Sequence, residues 1–239
     1  MKVRNMLIGA VVATLLGAGT ASAAGLNWDQ GQGLSPGGTL VFDGTRVIGT
    51  NIGFDLMNAT GTSADGVYHC SGADGSVSSP VGGSRCVLSF TTGALQETVG
   101  GTFIFGPGGT VTMTGFLSTA APGATGDVIG GSPLVIEGSF RSYTVTLAGN
   151  SGVAAGLGID IKDEALIEWF GLGPNFQFTM SQLAINGCGA PAARANDANG
   201  FTCNVNAADF QNNSVPEPGT LALLGLGLLG VGAARRRKA

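Results

Sequence analysis

Thr110-Val111-Thr112-Met113-Thr114 alternates without exception, with Val111 and Met113 in one phase and three threonines in the other. An extended strand sends successive side chains to opposite faces, so this pattern predicts a half-buried β-strand. The same signature recurs at Tyr143-Thr144-Val145-Thr146-Leu147 and at Phe176-Gln177-Phe178-Thr179-Met180, and Phe103 and Phe105 flank Ile104 in another short run. Further strand candidates are 39–42, 46–57, 86–91 and 134–140. The chain holds 43 glycines in 239 residues, well above the usual share of about 7%. Together with abundant Thr, Ser, Val and Ile, this is a strand-and-turn composition. The expected fold is all-β: a single Gly-rich antiparallel β-sandwich of jelly-roll type, with roughly nine short strands over residues 24–214. No internal repeat of fixed period is present, which argues against a solenoid or propeller.

One segment, 159–170, reads either as a hairpin or as a short helix. The helix is preferred, starting near Asp160 and ending at Gly171, although Glu164 and Glu168 would repel each other one turn apart. Gly171-Leu172-Gly173-Pro174 ends the element in either case.

Both ends of the chain differ from this body. Lys2 and Arg4 precede an apolar stretch from Met6 to Ala18, and Ala21-Ser22-Ala23 supplies the small-x-small pattern accepted by signal peptidase. Residues 1–23 therefore read as a cleaved signal peptide, with cleavage after Ala23. At the other end, Val215-Pro216-Glu217-Pro218 precedes an apolar segment, 220–234, and then Arg235-Arg236-Arg237-Lys238. Fourteen residues from Leu221 to Ala234 make a helix of about 21 Å, short for a hydrocarbon core of about 30 Å. Bilayer thinning and the long basic side chains cover part of that mismatch. The basic cluster places the tail on the cytoplasmic side and the body outside, the orientation the N-terminal signal also requires. Gly225-Leu-Gly227-Leu-Leu-Gly230 fits G-x-G-x-x-G, but it lies in an apolar tail rather than between a strand and a helix, so it carries no nucleotide-binding meaning.

The order of short polar motif, apolar stretch and basic cluster at 215–239 resembles the PEP-CTERM sorting signal of Gram-negative bacteria. The resemblance covers the tail only. It implies recognition by an exosortase, a membrane-embedded enzyme that cuts near Pro-Glu-Pro. An inner-membrane intermediate would then give way to delivery to the cell surface or matrix, in association with exopolysaccharide and biofilm. The logic parallels that of a GPI signal, whose apolar tail is discarded. Signal peptidase and exosortase are the processing partners implied, and the membrane is a transient one.

Removal of both ends changes the charge. The whole chain carries −4, whereas residues 24–217 hold 15 acids against five bases, a net −10. Such a body is ill suited to binding nucleic acid through phosphates. Four cysteines, Cys70, Cys86, Cys188 and Cys203, in an exported chain point to two disulfides. Three pairings are possible. The local one, Cys70 with Cys86 and Cys188 with Cys203, closes two Gly-rich loops of similar length. A metal site on His69, Cys70 and Cys86 is the competitor, without the C-x2-C spacing of zinc sites. No resident cofactor or metal is expected.

Asp197-Ala-Asn199-Gly200, followed by Val205-Asn206-Ala-Ala-Asp209-Phe210, has a partial resemblance to a dockerin-type calcium loop over 195–210. Position 1 would be Ala195, and Cys203 interrupts the run, against the ligand pattern such loops need. The bland reading is a polar surface loop. Enzyme signatures are missing: Gly149-Asn-Ser151-Gly152 is one position short of a nucleophile elbow, and one histidine beside a half-cystine leaves a Ser-His-Asp triad without a base. No catalytic residue is assigned. The leading expectation is a non-enzymatic surface or matrix protein. A carbohydrate-binding, lectin-like module would use Trp28 and Trp169 as exposed stacking surfaces. A glycoside hydrolase would need two facing carboxylates among Asp160, Asp163, Glu164 and Glu168.

Overall fold

The computed structural model describes residues 24–29, 37–77, 86–131, 133–172, 176–188 and 200–214. Thirteen strands lie among them: β1 Gly25–Asp29, β2 Thr39–Phe42, β3 Val47–Phe54, β4 Leu56–Thr60, β5 Gly66–Ser71, β6 Cys86–Thr92, β7 Leu95–Val99, β8 Thr102–Phe105, β9 Gly108–Ser118, β10 Leu134–Ala148, β11 Ser151–Lys162, β12 Phe176–Asn186 and β13 Phe201–Ser214. A single helix, α1, covers Glu164–Phe170, and a turn of 3-10 helix covers Ile129–Gly131. No helix of the described residues is long and apolar enough to cross a membrane.

All-β and antiparallel are as expected; the two-sheet jelly roll is not what forms. Hydrogen bonds join all thirteen strands into one sheet that closes on itself. Five long strands, β9 to β13, pair in sequence as an antiparallel wall. Two three-stranded ribbons bridge from β13 back to β9. The first, β2-β3-β6, meets β13 at Phe201–Asn204 and β9 at Gly109–Thr114. The second, β1-β4-β5, meets β13 at Phe210–Asn213 and β9 at Phe116–Ser118. Each ribbon completes a ring of eight strands with the same five-stranded wall. Closure of this kind removes exposed edges, which otherwise invite pairing with other chains. Among the described strands only β7 has a partner on one side alone, and it carries Glu97 at its centre.

The predicted strand at 46–57 divides between the ribbons. β3 and β4 are separated by Asp55 alone, whose N–H donates to Asp29 O at 3.2 Å and whose carbonyl accepts from Cys70 N at 2.8 Å. The chain thus leaves one ribbon for the other at a residue whose own backbone hydrogen bonds hold the step. β6 to β9 form one interrupted hairpin, with β7 and β8 at its tip. Gly100 and Gly101 make the two-residue loop with φ of 55° and 83°, the left-handed pair that a type I′ turn requires. The strand candidates at 134–140 and 143–147 merge into β10, bent by a bulge at Phe140–Ser142.

The core is aromatic, and glycines within strands make room for it. Phe140 packs on Phe90, Tyr143 and Phe178, with ring centroids at 5.4, 5.0 and 5.4 Å. A Cβ on Gly158 would lie 2.2 Å from Phe178 Cζ, and one on Gly156 would lie 2.6 Å from both Phe140 Cε1 and Tyr143 Cδ2. The rings therefore occupy the space that side chains at these two positions would fill.

The segment 159–170 forms no hairpin of its own; it holds the end of a strand and then the short helix. Ile159 to Lys162 belong to β11, and the helix starts only at Glu164, not near Asp160. Asp163 is the N-cap, its Oδ1 accepting from Ala165 N at 2.9 Å. This satisfies one of the open backbone donors of the first turn. Gly171 ends the helix in the left-handed conformation, φ 61°.

Candidate functional site

The residues expected to direct traffic lie outside the described residues. These are the cleavage pair Ala21 and Ala23, the motif Val215, Pro216, Glu217 and Pro218, the apolar stretch 220–234, and the basic cluster Arg235, Arg236, Arg237 and Lys238. Within the body, the structure sorts the remaining candidates.

The cysteines take the local pairing. Cys70–Cys86 and Cys188–Cys203 are bridged, with Cα–Cα distances of 5.6 and 4.2 Å, and no cysteine is free. The thiolate site with His69 is thereby excluded. Cys70–Cys86 joins β5 to β6 where the two ribbons meet on β9, and Gly115 lies beneath it: a Cβ there would sit 2.7 Å from Cys86 Sγ. Cys188–Cys203 fastens the end of β12 to the start of β13. His69 is half-buried, and loss of hydration holds its pKa below the usual imidazole value.

The acidic run is dispersed. Asp160 points inward, Asp163 caps α1, and Glu164 and Glu168 are exposed one turn apart on that helix. These four are not brought to facing sides of one cleft. Of the two tryptophans, Trp28 is buried at 2% exposure, which removes it from any stacking surface, whereas Trp169 is 42% exposed. Trp169 Nε1 donates to Tyr68 OH at 3.4 Å. The calcium-loop resemblance is corrected over its second half. Phe201–Ser214 is a paired strand with Val205 and Phe210 in the core, so Asn206 and Asp209 are not on a loop that could wrap an ion. Asp197 and Asn199 lie outside the described residues. Among the described residues, no group of three or more His, Cys, Asp or Glu is placed to hold a metal ion. A small, partly open pocket bounded by Trp28, Met113, Thr114, Ile136 and Leu166 has room for about 10 Å³, no more than one water.

The most unusual chemistry in the body escapes the hydrophobic pattern. On β11 the pattern is inverted: Val153, Leu157, Ile159 and Ile161 face solvent at 40% exposure or more, while Gly156, Gly158, Asp160 and Lys162 face the core. The glycines must face inward to admit the rings of Phe140, Tyr143 and Phe178. Strand alternation then carries Asp160 and Lys162 inward with them. Asn212 joins them from β13, on the far side of β12. The three residues are 5%, 5% and 0% exposed. Lys162 Nζ donates to Asp160 Oδ2 at 2.7 Å and also to Asn212 Oδ1. Asn212 Nδ2 donates to the same Asp160 Oδ2 at 2.7 Å. Asp160 Oδ1 is buried without a hydrogen-bond partner. Desolvation lowers the Lys162 pKa to about 8, against the opposing pull of the Asp160 charge. In the sequence, Asp160 belongs to an acidic run and Lys162 is one of the body's five bases, and nothing there joins either to Asn212. The available signal was Asp and Lys two apart in a strand whose alternate positions are glycine.

Residues 214–238 match the model of the PEP-CTERM protein-sorting motif. Neither a curated protein nor a solved structure matches the chain. The motif implies an exosortase-sorted protein, exported and directed to the cell surface of a Gram-negative bacterium.

Proposed function

We propose that this chain is a non-enzymatic protein of the cell surface or extracellular matrix, delivered by exosortase processing and retained in association with exopolysaccharide. The sorting signal that follows β13 carries the reading. In the proposed route, signal peptidase cuts after Ala23, and the stretch 220–234 holds an inner-membrane intermediate with Arg235 to Lys238 on the cytoplasmic side. Exosortase then cuts near Val215–Pro218. Two disulfides support passage through an oxidising compartment. The inward turn of Asp160 and the capping role of Asp163 favour a binding or structural role over glycoside hydrolysis. Deletion of residues 215–239 tests the route. The truncated body, its folding checked by disulfide formation on a non-reducing gel, should lose nearly all surface signal in fractionation. An unchanged surface level of the truncated body would refute the role of the tail.

A carbohydrate-binding role is the second reading, favoured by the exposed ring of Trp169. A base or sugar stacks on such a face only if it is open, and Trp169 alone of the two tryptophans is. Trp169→Ala should abolish retention of the body on its own exopolysaccharide in a pull-down; equal retention of variant and parent would end this reading.

A further inference from the structure

Lysine Nζ, an asparagine carboxamide and a shared carboxylate, all buried, make a reactive set as well as a structural one. We propose that Lys162 and Asn212 join covalently through an intramolecular isopeptide bond, with Asp160 as the proton carrier. The bond would cross β12 and fasten β13, the last strand before the sorting signal, to β11.

The geometry supplies each requirement. Lys162 Nζ is in hydrogen-bond contact with Asn212 Oδ1, so the amine already lies against the carboxamide whose Cγ it would attack. Proximity of this kind converts a slow bimolecular aminolysis into a unimolecular step. Asp160 Oδ2 touches both Lys162 Nζ and Asn212 Nδ2, at 2.7 Å each, so one oxygen reaches both the nucleophile and the leaving group. That is the placement a general acid–base needs. Burial excludes water as a competing nucleophile. It also favours the neutral amine, the nucleophilic form of lysine.

The chemistry balances without a cofactor. Lys162 Nζ first passes a proton to Asp160 Oδ2 along their hydrogen bond, leaving a neutral amine and a carboxylic acid. The Nζ lone pair then attacks Asn212 Cγ; the new C–N bond forms as the C=O π pair moves onto Oδ1. Asp160 returns its proton to Nδ2 and accepts the second proton from Nζ. The Cγ–Nδ2 bond breaks, C=O reforms, and ammonia departs, taking the proton from Asp160 as ammonium. One ammonium and one carboxamide thus become one secondary amide and one ammonium ion, and the Asp160 carboxylate is regenerated.

A simple buried ion pair is the competing account. It is a poor stabiliser, because desolvation of two charges offsets much of their attraction, and here it leaves Asp160 Oδ1 without a partner. Tandem mass spectrometry of the full chain after denaturation, reduction and trypsin digestion separates the two. The proposal predicts a branched peptide joining the segments around Lys162 and Asn212, lighter than their sum by one ammonia, about 17 Da, with no cleavage after Lys162. Complete cleavage after Lys162 with an unmodified Asn212 peptide would overturn the bond. Asp160→Asn, with its fold checked by circular dichroism, should leave the two segments unlinked; equal linkage would overturn the role of Asp160. If that variant does not fold, Asp160→Glu keeps the carboxyl and should still link, and an unlinked but folded Asp160→Glu chain would count against the carboxyl as proton carrier.

Discussion

Reduction of both disulfides is expected to lower the unfolding free energy of the body by about 6 kcal/mol, roughly 3 from each loop of this length in the chain-entropy account. The Cys70–Cys86 and Cys188–Cys203 bridges span 16 and 15 residues, so neither should dominate on loop length alone. Their positions differ more than their lengths. Cys70–Cys86 adds a covalent link between two ribbons that both pair with β9, at a point where Gly115 leaves no side chain between them. Cys188–Cys203 restrains the long connection from β12 to β13. Urea unfolding of the oxidised protein, the reduced protein and the Cys70→Ala/Cys86→Ala and Cys188→Ala/Cys203→Ala pairs measures both contributions. A loss below about 1 kcal/mol on full reduction would mean that the closed sheet restrains the chain without its bridges.

Phe140→Ala is expected to cost about 3–5 kcal/mol. Phe140 is 2% exposed and its ring is the meeting point of Phe90, Tyr143 and Phe178, with interplanar angles of 73°, 63° and 80°. Edge-to-face packing of this kind adds to the area term. The void cannot collapse easily, because the strand opposite, β11, contributes Gly156 at that point and has no side chain to move in. Equilibrium denaturation of the variant checks the value, with an unchanged m-value as the sign that the same surface is exposed on unfolding. A cost near 1 kcal/mol would place the packing centre elsewhere.

Legibility from sequence followed the range of each interaction. β2, β6, β8 and β9 were readable because alternation is a property of neighbours on one strand. The strand candidates do not cover β1, β5, β7, β13 or β11 before residue 159. β7 is mostly exposed, so it carries no buried phase to detect. β11 presents its apolar residues to solvent and its glycines to the core, so the usual rule would have assigned its faces backwards. Turns such as Gly100-Gly101 account for part of the high glycine content. Gly49, Gly138, Gly156 and Gly158 serve instead as floors beneath aromatic rings, a role that only the opposing ring defines. Helix α1 ends at Gly171, a local signal, but begins later than Asp160, because Asp163 is the cap. The acidic run misled for a related reason: closeness in sequence put Asp160 with Glu164, whereas the fold puts it with Asn212, 52 residues away.

The sequence by itself determined the β class and the sorting signal, since both rest on patterns read along a few consecutive residues. The three-dimensional structure decided the closure of one sheet into two rings, the choice among three cysteine pairings and the meeting of Asp160, Lys162 and Asn212. Each of these depends on which distant strands lie side by side. Contacts between residues far apart in sequence, such as rings seated over Gly49, Gly156 and Gly158, accompany that pairing, and no pattern of a few consecutive residues contains them.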